Sequence, residues 1–270
     1  MKVSSFRPWI GRNPVALFGG QGHWVPACAG WRVQTSIDSK EIMPQTYFSP
    51  ATFRFLRALS RNNKRTWFKA HEAEYEQDVR EPYLRLIGDL QAPLAGISSH
   101  YRADPRKIGG SLFRIQRDVR FAGDKAPYKT WAGARFFHER RRERPAPSFY
   151  LHIAPNDCFV GAGIWHPESA TLKQLRAFIA DNPAAWKRAV HSKAFRDRYE
   201  FWGESLSRAP QGYPPDHPLI EDLKRKSCAA GVGFDDKLAC SSRLAPFVIE
   251  NFKRLAPLVD YLCAALELEF

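Results

Sequence analysis

The chain has 270 residues, 44% of them hydrophobic and 13% aromatic, with a formal net charge of +13. That content supplies a core and excludes global disorder. No apolar run reaches the roughly 18 residues a membrane span needs, since Pro257 and Asp260 interrupt the longest one, Leu255 to Leu266. The positive charge admits an anionic small molecule or a nucleic acid as partner and does not choose between them.

Residues 1–42 are glycine-punctuated and lack sustained periodicity, and His23–Trp31 looks like the translation of a bacterial intergenic repeat. We expect this segment to be a disordered extension or the product of a misplaced start, with Met43 as the natural first residue. A signal peptide is disfavoured, because no apolar stretch of the needed length precedes a small-residue cleavage site. Residues 43–270 are expected to form one domain.

Ser49-Pro50 pairs an N-cap residue with a proline suited to the first helical position, and Phe53, Leu56 and Leu59 follow at helical spacing. Asn62 and Asn63 break that helix. A second helix starts near Thr66 with Phe68, His71, Tyr75 and Val79 along one face. Pro82 kinks it or opens a third helix carrying Tyr83, Leu86 and Leu90.

The middle of the chain reads as β-structure. Strands are expected over Leu112–Arg117, residues 131–137, Phe149–Ala154 and Cys158–Trp165, the last two joined by the turn Pro155-Asn156-Asp157. Connections this short favour an antiparallel meander. His138–Pro147 carries Arg140, Arg141, Arg142 and Arg144 and is expected to be an exposed loop. Helices follow from Leu172, over Ala184–Val190 and over Lys193–Phe201. One or two more close the chain over residues 246–268, with Pro246 and Pro257 as starts. The fold class is therefore α+β: an antiparallel meander of about four strands, packed by N-terminal and C-terminal helices.

One stretch carries unusual chemistry. Arg114, Arg117, Asp118, Arg120, Asp124, Lys125, Tyr128 and Lys129 place five cations, two carboxylates and a phenol within sixteen residues. Regular β-structure should stop near Asp118, with residues 118–130 a loop tied by ion pairs, because Pro127 cannot donate in a central strand. Arg117 falls on the apolar side of the alternation and therefore needs a partner. Arg114, Arg120, Lys125, Tyr128 and Lys129 are placed to touch a phosphate or carboxylate, with Asp118 or Asp124 holding the arginines or acting as a base. The excess of cations over carboxylates favours an anion site over a purely structural lock.

Other signals are weaker. Arg61–Phe68 mixes basic, amide and aromatic groups, as single-strand binders do, or is a solvated turn before two core aromatics. Arg140–Arg144 could touch a phosphate backbone. Gly161-Ala162-Gly163 lacks the third glycine of a dinucleotide fingerprint and fits close packing within a strand. Trp165-His166-Pro167 either lines a pocket or ends a strand. His152 reads as a packed residue. The five cysteines form no CxxC pair and read as buried thiols of a reducing cytoplasm. No metal set, cofactor motif or catalytic constellation is recognised, so enzyme activity is left open.

The run RIQRDVRFAGDKAPYK resembles the signature of an uncharacterised bacterial family, domain of unknown function 2461, of pattern Arg-x-x-Arg-Asp-x-Arg-Phe-x-x-Asp/Asn-Lys-x-x-Tyr. Arg114, Arg117, Asp118, Arg120, Phe121, Asp124, Lys125 and Tyr128 match it. Asn62-Asn63 before Trp67-Phe68, Tyr150–Ile153, Gly161–Trp165 and Pro210–Pro218 add to the likeness, which spans about residues 46–265. It implies a single domain and assigns no activity and no catalytic role. Three readings follow: a binder of an anionic ligand, a nucleic-acid-associated module, or an interaction domain whose motif is an ion-pair lock.

Overall fold

A computed structural model describes residues 45–120 and 123–270. The expectation for residues 1–42 and the start at Met43 lies outside the described residues, as does the matched Phe121.

The N-terminal helices begin as their signals predict. In α1 (Pro50–Arg61) the Ser49 hydroxyl accepts from the Ala51 amide at 3.2 Å, and Thr52 Oγ1 accepts from the Ser49 amide at 3.2 Å. Both cap amides that have no partner inside the helix. After Asn62 and Asn63 come α2 (Arg65–Ala70), α3 (Glu72–Tyr75), a π-helical turn (Glu76–Arg80) and α4 (Glu81–Asp89), then α5 (Gln91–Ala95). Pro82 sits at the start of α4. Having no N–H, it cannot bond to the carbonyl of Asp78, four residues back. Thr52 Oγ1 donates to that carbonyl instead, at 2.7 Å. A long-range side-chain bond thus satisfies the acceptor that the proline leaves open, and it ties α1 to the π turn.

The sheet has six strands among the described residues, all antiparallel, in the order β1-β2-β3-β4-β6-β5. They are β1 (Tyr101–Arg102), β2 (Ala132–His138), β3 (Ser148–Ile153), β4 (Cys158–Ile164), β5 (Glu200–Trp202) and β6 (Cys228–Phe234). The meander β2-β3-β4 is as expected. Leu112–Arg117 is not a strand of its own: Leu112 bridges Ala134 and Gln116 bridges Tyr128, as isolated pairs. The helix expected over Lys193–Phe201 is only α8 (Lys193–Arg196), and the chain then enters β5.

Alternation divides the sheet into two faces. Ala134, Phe136, Phe149, Leu151, Val160 and Ala162 join the main core. The Tyr83 hydroxyl of α4 donates to the Leu151 carbonyl at 2.8 Å on this side. Between β4 and β5 lie α6 (Ser169–Asp181) and α7 (Pro183–Val190); α9 (Ile220–Leu223) precedes β6, and α10 (Asp236–Ala239) follows it. The closing helix α11 (Leu244–Ala265) is continuous, with Pro257 inside it and thirteen buried residues. An interior proline costs about 3 kcal/mol. Burial of Phe252 against Phe136 and Phe149, with ring centroids 5.2 and 4.8 Å away, is part of the packing that keeps the helix whole.

The second face is floored with glycine. Trp202 lies so close over Gly161 and Gly231 that a Cβ on them would stand 2.6 and 2.0 Å from its ring carbons. The Gly161-Ala162-Gly163 run therefore serves packing across the sheet. No helix among the described residues is long and apolar enough to cross a membrane.

Thr52→Val keeps the shape of the side chain and removes both of its hydrogen bonds. It should cost about 1–2 kcal/mol, a fall of roughly 2–8 °C in Tm. An unchanged Tm would show that the Asp78 carbonyl finds another donor.

Candidate functional site

The charged stretch begins at the outer edge of β2. Along the upper end of that edge, β1 pairs with Phe137 and His138. Along the lower end, the Phe113 amide donates to Gly133 (2.9 Å) and the Arg135 amide donates to Ser111 (2.9 Å). After Phe113 the chain leaves the sheet and turns back on itself. Two rungs close the neck of the resulting hairpin: Arg117 N–H to the Pro127 carbonyl and Lys129 N–H to the Ile115 carbonyl, both 2.8 Å. Pro127 only accepts here, so its missing donor costs nothing.

Asn63, in the break between α1 and α2, reads this neck like a third strand. Its Nδ2 donates to the Tyr128 carbonyl at 2.9 Å and its Oδ1 accepts from the Tyr128 amide at 3.0 Å. The Tyr128 ring stacks on buried Phe68, centroids 4.2 Å apart. Of the two readings of Arg61–Phe68, the turn leading into core aromatics matches this placement, with Phe68 buried and Trp67 packed against the core.

The structure separates the motif's charges. Arg117 Nη1 contacts Asp124 Oδ2 at 2.7 Å and donates to the Ala126 carbonyl at 3.1 Å. Asp124 Oδ1 accepts the Ala126 amide at 2.9 Å, a local turn of the kind aspartate favours. Lys125 Nζ donates to the Val119 carbonyl at 3.1 Å. Arg120 grips Asp118, with bonds of 2.9 and 2.6 Å. These hydrogen bonds hold the Asp118 carboxyl down to about 2. At neutral pH so weak a base is poorly suited to accept a proton.

At the neck, Lys129 Nζ donates to the carbonyls of Arg114 and Gln116, the latter at 2.9 Å, and stands 5.6 Å from the Trp131 ring centre. Burial, then the charges of Arg114 and Arg117, push its ammonium down to about 8. Arg114 is exposed, and its side chain has no hydrogen bond or ion pair among the described residues. The eight residues named from sequence thus share one hairpin without sharing one partner. Arg117 and Asp124 brace its neck, Lys125 and Lys129 hold carbonyls, Arg120 and Asp118 pair with each other, Tyr128 docks on the helices, and Arg114 is left over.

On the glycine-floored face, His152 stacks on Phe159, centroids 4.5 Å apart, and shares a 3.0 Å hydrogen bond with the Tyr150 hydroxyl. Burial drives its pKa down to about 3, which makes it a neutral packed residue. Burial also pushes the thiol of Cys158 to about 12, and those of Cys228 and Cys263 likewise to about 12. Thiols so reluctant to ionise are poor nucleophiles. Sequence reasoning missed Arg135, a cation isolated within the apolar run of β2. Half-buried, it has no hydrogen bond or ion pair from its guanidinium among the described residues, and desolvation lowers its pKa. The arginine-rich turn after β2 is also less solvated than expected: Arg144 reaches the Leu266 and Glu267 carbonyls beyond α11 at 3.1 and 3.2 Å, and Arg141 lies over Phe137.

Arg117→Met should destabilise the fold by about 1–2 kcal/mol, because it breaks a charged hydrogen bond to a backbone carbonyl as well as an ion pair. A Tm equal to wild type would exclude a bracing role. His152 makes a pH signature. Its folded pKa lies below its unfolded value, so its contribution is complete above about 6.5 and is lost as pH falls toward about 3. His152→Phe should flatten the acid limb of a Tm-against-pH curve over that window; an identical limb would contradict its burial in the neutral form.

No curated protein and no solved structure is significantly similar to the chain. A family model described as conserved hypothetical protein (DUF2461) matches residues 51–261. That span takes in every strand and all but the ends of the helical layers, and the chain belongs to this family.

Proposed function

We propose that the protein binds an anionic ligand, through a phosphate or carboxylate group, at the neck of the Arg114–Lys129 hairpin. One observation carries this reading: Arg114 is exposed and without an ion pair among the described residues, beside an ammonium that its charge helps to depress. The Asp118 carboxylate also feels the charge of Arg114 but is committed to Arg120, and two neighbouring positive charges are a ready site for an anion, which arginine can grip with a planar fork and lysine as a point charge. In this reading Arg117, Asp124, Lys125 and Tyr128 hold the neck in shape, and Arg120 with Asp118 forms an exposed flank. No residue is assigned a catalytic role.

Nucleic-acid association is the alternative, favoured by the net charge of +13. Its mark is affinity that falls steeply and linearly in log salt. A single-stranded oligonucleotide titrated at several salt concentrations separates the two.

Sodium phosphate and citrate, titrated calorimetrically into the full chain, test the first reading. Arg114→Ala should weaken the better ligand roughly tenfold or more. Lys129 carries its charge at pH 7 and sheds it as pH rises through about 8, so affinity should drop across that value. Lys129→Met should remove the drop. Titrations unchanged by Arg114→Ala and by pH would leave the hairpin as a brace alone.

A further inference from the structure

The face of the sheet opposite the main core breaks the usual pattern. An antiparallel sheet with one buried face alternates apolar residues inward with polar residues outward. Here the outward positions hold rings and glycines. Phe113, Trp131, His152, Phe159 and Trp202 follow one another across the face, with successive ring centroids 6.3, 4.9, 4.5 and 4.8 Å apart. Tyr150 joins them, 5.9 Å from Phe113 and 5.7 Å from Phe159. None of the five apolar rings in this layer belongs to the main core. Phe113, Trp131, Tyr150 and Trp202 are half-buried, so water reaches rings that a core would enclose.

Glycine makes room for the layer. A Cβ on Gly133 would stand 2.3 Å from the Tyr150 hydroxyl and 3.0 Å from a Trp131 ring carbon, as one on Gly161 or Gly231 would meet the Trp202 ring. Three strands, β2, β4 and β6, thus give up a side chain to seat a ring. Glycine inside a strand weakens it and often marks a close approach. A face that is merely wetted has no need of that arrangement.

Cations border the rings along β2. Lys129 Nζ stands 5.6 Å from the Trp131 ring centre, and the Arg141 guanidinium stands 3.5 Å from that of Phe137. Between them, Arg135 lies directly opposite Tyr150 in the β2-β3 register, where facing side chains start about 5 Å apart. Arg135 is half-buried, and its guanidinium keeps contact with water. The acids of this face stand away from that row. Glu200 is on β5 at the far edge, across from Gly231, and Asp157 is in the turn between β3 and β4. Asp104 and Glu139, near the β1 end of the row, are held by Arg106 and Arg102.

We propose that this face binds single-stranded nucleic acid, with bases stacked on the half-buried rings and phosphates along Lys129, Arg135 and Arg141. Every base has a flat face to stack, and arginine and lysine meet the backbone, which is how sequence-tolerant single-strand binders work. The rings run across the five strands from β2 to β5, roughly 19 Å at about 4.8 Å per strand. Such a strip suits two or three bases of an extended strand better than a compact ligand. A duplex keeps its base faces stacked inside and has none to offer. The net charge of +13 attracts a polyanion and repels a second copy of the chain. The assignment rests on the nucleic-acid reading and not on an anion at the hairpin neck, which the phosphate titrations decide by themselves.

Labelled oligothymidylate, alone and as its duplex with oligoadenylate, is titrated with the full chain at several salt concentrations and followed by fluorescence anisotropy. The single strand should bind more tightly than the duplex, and the chain's tryptophan fluorescence should fall as it binds. Trp131→Leu keeps apolar bulk but removes the stacking surface, and should weaken binding roughly tenfold. Arg135→Gln should weaken it too and lower the salt slope by about 0.7. Arg188→Gln, exposed on α7, should do neither. Equal losses in Arg135→Gln and Arg188→Gln, or a duplex bound as tightly as the single strand, would overturn the assignment and leave only attraction to a basic surface. Wild-type binding by a folded Trp131→Leu chain would overturn it as well. If that variant does not fold, Arg135→Gln and the duplex comparison decide. No binding at low salt would end both the assignment and the nucleic-acid reading. A wild-type dimer that Trp131→Leu dissociates would show that a second copy covers the face, and would also overturn the proposal.

Discussion

The outer edge of β2 must have its amides and carbonyls paired, and two different segments share it. β1 takes Phe137 and His138, and Ser111–Phe113 takes Gly133 and Arg135. Once Phe113 has made its bond, no free edge remains for the residues that follow. The chain is expelled from the sheet at Arg114, and every backbone group beyond that point has to find a partner locally or face water. The charged motif is what supplies many of those partners. Two rungs close the neck, the Asn63 amide completes the pairing of Tyr128, and Lys129, Arg117 and Lys125 donate to the carbonyls of Arg114, Gln116, Ala126 and Val119.

This accounting changes the meaning of the motif's composition. Five cations against two carboxylates look like surplus charge if charges pair only with charges. Three of the five donate to main-chain carbonyls, which carry no formal charge and go uncounted in a tally of residues. Most of the surplus is therefore engaged in shaping the hairpin. Only Arg114 stands outside the set of bonds, and the proposed site at the neck is smaller than the motif that frames it. Lock and site need not compete: a hairpin braced by Arg117, Asp124 and Asn63 holds Arg114 and Lys129 at a set separation, and preorganised charge is what anion binding requires.

What was legible follows the strength of local signals. Ser49-Pro50 announces α1 because a cap and a proline act within one turn, and Arg117 announces a partner because alternation puts a cation on an apolar side. Strand β6, Cys228-Ala-Ala-Gly-Val-Gly-Phe, hides because glycine and alanine carry almost no hydrophobic alternation. Gly231 is small for a reason that lies in another strand, namely the Trp202 ring of β5. Pro257 invites a helix start, yet α11 runs through it, since a buried helical face against β3 and β4 outweighs one missing hydrogen bond. Asn63 was visible as a helix breaker and not as the residue that reads Tyr128, sixty-five positions away. No spacing rule spans that distance.

Arg135 shows the same limit from the other side. In sequence it is one cation in an apolar strand, and the usual expectation for such a residue is a buried partner. Asp104 and Glu139, the carboxylates at the β1 end of the sheet, are held by Arg106 and Arg102. Asp104 also draws on the charge of Arg141, so the acids at this end of the sheet serve the other arginines, and Arg135 forms no ion pair among the described residues. A fold that needed only a neutral filler at this position could use an aliphatic chain at lower electrostatic cost, as replacements of buried ions by apolar residues show elsewhere. Arg135 is instead half-buried and its guanidinium keeps contact with water, which is how an unpaired cation is tolerated in an apolar strand.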